Sequence, residues 1–155
     1  ELFPSKAPVT VANFLKYVDV HLYDSSSFFR AVTLNNQPKD SVKIEVIQGG
    51  DVDSVKEFAP IFLETTKQTG LQHKDGTISM ARGKPATATS SFFICINDQP
   101  SLNFEGKRNK DGQGFAAFGK VVEGMNVVKK IQQLHPEQGQ YFKPPVTIIS
   151  ITRLK

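Results

Sequence analysis

Turn signals set the scale of every element in this chain. Gly49-Gly50-Asp51, Lys74-Asp75-Gly76, Asn97-Asp98-Gln99-Pro100 and Asp111-Gly112-Gln113-Gly114 cut it into short apolar runs. Gly, Pro, Asn and Asp cluster at such points because they favour the dihedrals of tight turns. The runs between them, Ser27–Thr33, Val42–Gln48, Thr77–Ala81, Phe92–Ile96, Phe115–Val121 and Val146–Leu154, read as strands. Only two segments carry a helical period. In Val9–Val20 the stripe is Val11, Phe14, Leu15 and Val18, with Pro8 near the start; in Met125–Leu134 it is Val127, Val128, Ile131 and Leu134, bracketed by Gly124 and Pro136. Many short strands with two helices predict a mainly β fold: a closed or nearly closed antiparallel barrel, since closure removes exposed strand edges, with a helix plugging each end. At 155 residues, with no repeat, low-complexity tract or linker, residues 1–155 form a single domain.

Several function classes are excluded at this level. The net charge of +4 is mild, and the densest basic stretch, Lys107-Arg108-Asn109-Lys110, has no interleaved aromatic residues. It reads as a solvated loop with no nucleic-acid partner expected, a nucleic-acid contact being the minor reading. Cys95 is the only cysteine and sits in an apolar run, so it reads as a buried, inert thiol with no disulfide or cysteine zinc cluster available. His21, His73 and His135 show no metal-binding spacing and read as surface or loop residues. No metal or cofactor is expected. There is no G-x-S-x-G motif, and Gly49-Gly50 leads into neither a G-x-G-x-x-G nor a P-loop, so it reads as a tight turn. No apolar run is long enough for a membrane-spanning helix.

Twelve Phe and no Trp suggest a barrel interior or a binding wall. Arg30 closes the apolar run Phe28-Phe29 and must find a partner or face a cleft, because an unpaired buried guanidinium is costly. Taken singly, Arg30 reads first as half of a structural salt bridge, and Gln48 as a strand-end polar residue.

The order of the motifs adds more. Phe28-Phe29-Arg30, Gln48-Gly49-Gly50-Asp51, Ile78-Ser79-Met80-Ala81, Ser91-Phe92-Phe93-Ile94 and Phe118-Gly119-Lys120-Val121-Val122-Glu123-Gly124-Met125, in this sequence, resemble the cyclophilin family of peptidyl-prolyl isomerases. The resemblance covers nearly the whole chain, and Gly112-Gln113-Gly114-Phe115-Ala116-Ala117-Phe118-Gly119 is similar to its bacterial branch. It implies a closed, antiparallel eight-stranded barrel capped by two helices. The family's first strand lies just before Glu1, so most of it is expected to be missing here. It also implies acceleration of rotation about X-Pro bonds in proline-containing peptides and in unfolded or folding protein clients, by a monomer that needs no cofactor. Arg30 matches the catalytic arginine, and Gln48 the glutamine that holds the substrate backbone and orients it. Phe93 matches the floor of the proline pocket. Met80, Ala81 and Arg82 match residues beside it, Leu102 and Phe115 further walls, Val46 the apolar residue two before the glutamine, and Ser91 a position often held by Gln.

The departures lie at the rim. Glu45 stands where relatives often carry Phe, and Ile44 is the candidate replacement for that wall. Arg30 and Gln48 are 18 positions apart, wider than the family spacing, so Asn35–Lys43 reads as an insertion beside the pocket. The loop Asp98–Gly114 is also long, and loops of such length in compact domains are usually functional or mobile. Ser101 replaces the eukaryotic Trp, so cyclosporin binding is expected to be weak. A chain opening at Glu1 without Met is expected to follow a removed or trimmed segment, which leaves bacterial cytoplasm and periplasm or cell envelope both open. Two other readings stand beside the enzyme: a proline-peptide binding module without turnover, and a nucleic-acid-associated protein whose affinity would fall steeply with salt.

Overall fold

The computed structural model describes residues 1–134 and 139–154. Helix α1 (Pro8–Asp19) is followed by β1 (Ser27–Val32), β2 (Val46–Gly49), α2 (Thr66–Thr69), β3 (Thr77–Met80), β4 (Phe92–Cys95), β5 (Ala116–Lys120), α3 (Met125–Gln132) and β6 (Tyr141–Thr147). Short 3-10 turns form at Ser54–Lys56 and Pro100–Leu102. The strands make one antiparallel sheet in the order β5-β3-β4-β2-β1-β6. Mainly β architecture is therefore as expected; among the described residues the hydrogen-bonded sheet has six strands, and its end members, β5 and β6, do not pair with each other. The outer edge of β5 instead carries residues 1–3: Phe3 N–H donates to Phe118 O at 2.9 Å and Lys120 N–H to Glu1 O at 2.8 Å.

Two strand boundaries and one helix differ from expectation for identifiable reasons. Strand β2 begins at Val46 rather than Val42 because both backbone groups of Ile44 are taken by the Gln37 side chain, at 3.2 and 2.8 Å. The last strand is Tyr141–Thr147 rather than Val146–Leu154. Pro144 and Pro145 are accommodated there because β6 is an edge strand, where missing N–H groups cost little. Helix α2 was not expected; Thr65 and Gln68 form a complete capping box around it. Helix α1 buries Val11, Phe14 and Val18 as its stripe predicts. In α3 the stripe is narrower than expected: Val128 is buried, but Val127 and Leu134 are exposed. Pro136 and His135 lie outside the described residues.

Alternation along the strands separates core from site. Phe92 and Ile94 of β4 point into the interior. There Phe92 meets Phe14, Tyr23 and Phe118 under α1, and Ile94 meets Ile47 and Val128 under α3. Phe14 lies 5.2 to 5.5 Å from the Tyr23, Phe92 and Phe118 rings, the spacing of favourable tilted and edge contacts. Phe93 and Cys95 point to the opposite face, with Val46, Val32, Ile44 and Leu102. Cys95 is fully buried, and desolvation raises its thiol pKa, so it is unreactive as expected.

Candidate active site

One row of residues crosses the sheet. Tyr141 of β6 faces Arg30 of β1, Arg30 faces Gln48 of β2, Gln48 faces Phe93 of β4, and Phe93 faces Ser79 of β3. Directly opposed positions share a face and lie within side-chain reach. Register alone therefore gathers a guanidinium, an amide and an aromatic ring from separate parts of the sequence.

Above this row is a cavity of about 220 Å³, lined by Arg30, Gln48, Val46, Ala81, Arg82, Phe93, Leu102 and Phe115, together with Ile44, Arg108 and Asn109. Phe93 and Phe115 meet edge to face at 5.3 Å and 89°. Leu102, Val46 and Phe93 are buried. Of the predicted residues, only Met80 and Ser91 do not line the cavity. Met80 packs in the aromatic core under α1. Ser91 stands behind Gln48: its Oγ accepts from Gln48 Nε2 at 3.0 Å and donates to Gly49 O at 3.2 Å.

The Arg30 guanidinium is held on two sides. Nη1 donates to Gln48 Oε1 at 3.0 Å, while Nε and Nη2 both donate to Gln140 Oε1, at 2.9 and 2.6 Å. The Tyr141 ring lies 6.0 Å from its centre. Burial lowers the Arg30 pKa from its ordinary value, chiefly through desolvation. Among the described residues its hydrogen-bond acceptors are two neutral amides, so its positive charge stays available to the cavity. The alternative salt-bridge reading of Arg30 finds no carboxylate within 4 Å among the described residues.

Arg82 forms the wall. Its side chain is 1% exposed, pairs with both Asp111 oxygens at 2.8 and 2.9 Å and donates to Gly114 O from Nε and Nη2. These bonds hold the Asp111 carboxyl below the usual carboxylate range. On the far side of the pair lies an open groove of about 630 Å³, between Leu63, Lys67, Phe104 and Asp111, which contains none of the predicted site residues.

Two expectations change here and a third is met. His73 is not a surface residue. It is 1% exposed, stacks on Phe93 at 6.0 Å and 16°, and bonds Asn103 Oδ1 at 2.8 Å and Ser79 Oγ at 3.0 Å. Arg108 is not a solvated loop residue. Its Nη1 donates to Val42 O at 2.6 Å and Gln37 Oε1 at 3.0 Å, which ties loop 98–114 to loop 35–43. Glu45 turns away from the cavity to accept from Asn97 Nδ2 at 2.9 Å, and Ile44 supplies the apolar wall. Gln140 and Asn109 are site residues that the sequence reading missed. A glutamine beside an aromatic at the start of a strand carries no signal of its own.

Comparison with known proteins identifies the family. Residues 1–153 match the family model described as cyclophilin type peptidyl-prolyl cis-trans isomerase/CLD. The chain is 36% identical to a peptidyl-prolyl cis-trans isomerase of Acinetobacter baylyi, over 97% of this chain and 77% of that protein. It is 38% identical to peptidyl-prolyl cis-trans isomerase B of Escherichia coli, over 84% of this chain and 74% of that protein. Its fold superposes on a Cryptosporidium parvum cyclophilin-type isomerase crystallised in the presence of the dipeptide Ala-Pro. There the TM-score is 0.79 at 23% identity, covering 100% of this chain and 90% of that one. The chain belongs to the cyclophilin-type peptidyl-prolyl cis-trans isomerase family.

Proposed function

We propose that Arg30 and Gln48 carry the reaction of this peptidyl-prolyl cis-trans isomerase, with the proline ring seated on Phe93. The observation that carries this reading is the Arg30–Gln48 hydrogen bond at the rim of an apolar cavity floored by an aromatic ring. Rotation about a peptide bond faces a barrier of about 18–20 kcal/mol because amide resonance is lost at the twisted geometry. At that geometry the prolyl nitrogen becomes pyramidal and exposes a lone pair. An Arg30 N–H donates to it, an interaction the planar ground state cannot make, and only such differential binding raises kcat. Phe93, Phe115, Leu102, Val46, Ile44 and Ala81 hold the ring, while Gln48, backed by Ser91, holds the flanking backbone and steadies Arg30.

A rate gain of about 10⁵ requires about 7 kcal/mol. A charge-assisted hydrogen bond supplies about 1.5–3 kcal/mol of this, and immobilising one side of the rotating bond supplies the remainder. The clients are proline-containing peptides and unfolded or folding chains, met by a monomer without nucleic acid. The Ala-Pro dipeptide present with the Cryptosporidium protein supports that substrate class. The same reading takes the six-stranded sheet as the larger part of an eight-stranded barrel.

Exchange spectroscopy on a proline peptide tests the proposal. Cis–trans exchange accelerated by catalytic amounts of protein is expected; binding without acceleration would leave only a peptide-docking module. Cyclosporin binding is expected to be weak because Ser101, beside Leu102, offers neither an indole N–H nor its bulk; a nanomolar Kd would contradict this.

A further inference from the structure

We infer that Gln140 is a positioning residue for Arg30, and that through it the inserted loop 35–43 governs the orientation of the catalytic guanidinium. The inference rests on the role proposed above for Arg30. A guanidinium has five N–H donors in a rigid fork. Gln140 Oε1 takes two of them, on Nε and Nη2, and Gln48 takes one on Nη1. Two remain, one on each terminal nitrogen, for a reacting amide. Gln48 alone fixes a single point, about which the guanidinium can still pivot; Gln140 fixes the opposite edge and defines the plane.

Gln140 is itself anchored at both ends. Its backbone O accepts from Ala31 N–H at 2.8 Å, beside Arg30 on β1. Its side-chain Nε2 donates to the backbone O of Asn36 at 3.1 Å, inside the inserted loop. Asn36 in turn closes the base of that loop. Its Oδ1 accepts from Thr33 N–H at 2.8 Å, and its Nδ2 donates to Ala31 O at 3.0 Å and to Gly139 O at 3.3 Å. The insertion is thus joined to the catalytic arginine by a continuous chain of hydrogen bonds: Asn36, Gln140, Arg30. Arg108 fastens the other side of the loop through Gln37 and Val42. Residues that lengthen the connection between β1 and β2 therefore act on chemistry rather than only on rim shape.

The test uses the full chain and a proline peptide. Gln140→Ala is expected to lower kcat/KM by about tenfold or more, what one hydrogen bond to a charged group is worth. The loss should fall on kcat, with peptide Kd within about twofold of the parent, because Arg30 acts at the transition state. Activity of Gln140→Ala within about twofold of the parent would overturn the inference, as would a loss confined to peptide Kd. A measurement on the unaltered protein guards against misfolded variants: the Arg30 Nε–H resonance should be resolved and protected from exchange, and a rapidly exchanging one would contradict the bond. The loop's share is read from a double-mutant cycle. Asn36→Ala should slow the reaction on its own and add less than about twofold in the Gln140→Ala background, whereas full additivity would sever the loop from Arg30. Arg30→Ala separates the two layers. If it retains full activity, the reading of the site itself falls; if it is slow while Gln140→Ala is not, only the present inference falls.

Discussion

Acidification should destabilise this protein through one buried imidazole, and the size of the effect follows from the His73 environment. His73 is 1% exposed beneath the pocket floor. Asn103 Oδ1 accepts from both its backbone N–H and Nδ1, which places the proton on Nδ1 and leaves Nε2 to accept from Ser79 Oγ–H. Both ring nitrogens are thus satisfied in the neutral form. A proton added to Nε2 would meet a hydroxyl already donating, in a site that solvates charge poorly. Desolvation by burial, only partly offset by the Asn103 bond, lowers the pKa from 6.5 to about 4. Between these values the unfolded chain binds a proton that the folded chain refuses, so stability rises with pH across the window and is lost as pH falls from about 6.5 toward 4. Below the window both states are protonated and the term is constant. The shift corresponds to about 3 kcal/mol.

The assay is chemical denaturation at a series of pH values between 7 and 4, for the parent and for His73→Gln, which keeps an amide donor and acceptor but does not titrate. Carboxylates such as Asp111 and Asp98 also respond to acid, but they are common to both proteins and cancel in the difference. The stability difference between parent and variant should shrink by about 3 kcal/mol on going from pH 7 to pH 4. Parallel pH curves would refute the argument, because they would mean His73 takes up its proton as readily in the folded state as in the unfolded one.

Two further predictions concern the frame around the site. Arg82→Ala removes a buried guanidinium that bonds Asp111, Gly83 O and Gly114 O, and should cost about 2–4 kcal/mol in denaturant melts. Asp111→Asn should cost less, since Arg82 keeps its bonds to Gly114 O. Glu64→Ala removes the carboxylate that accepts from Val9 N–H, Thr10 N–H and Thr10 Oγ–H at the start of α1, with an expected cost of about 1–2 kcal/mol and no change in kcat.

The legibility of the sequence tracks the range of the interactions. Strand period and turn residues are local, so β1, β3, β4 and β5 stand close to where the apolar runs place them. Arg30, Gln48 and Phe93 each end or sit within such a run, and their juxtaposition follows from pairing register. What was not legible depends on side chains reaching across the fold. The Gln37 amide consumes the Ile44 backbone and shortens β2, and Arg108 is drawn out of solvent by a carbonyl 66 positions away. His73 carries no sequence mark of burial until Phe93, Ser79 and Asn103 close around it. Gln140 lies 110 positions from the arginine it holds. The prolines of β6 read as breakers unless the strand is known to lie at an edge.

The central claim is that Arg30 acts on the twisted amide and not on the bound ground state. It is tested most directly by measuring kcat, and the Kd of the same proline peptide, for Arg30→Ala beside the parent. The account predicts a fall of at least about tenfold in both kcat and kcat/KM with peptide affinity retained within about threefold. An unchanged kcat, or a loss confined to peptide affinity, would contradict it.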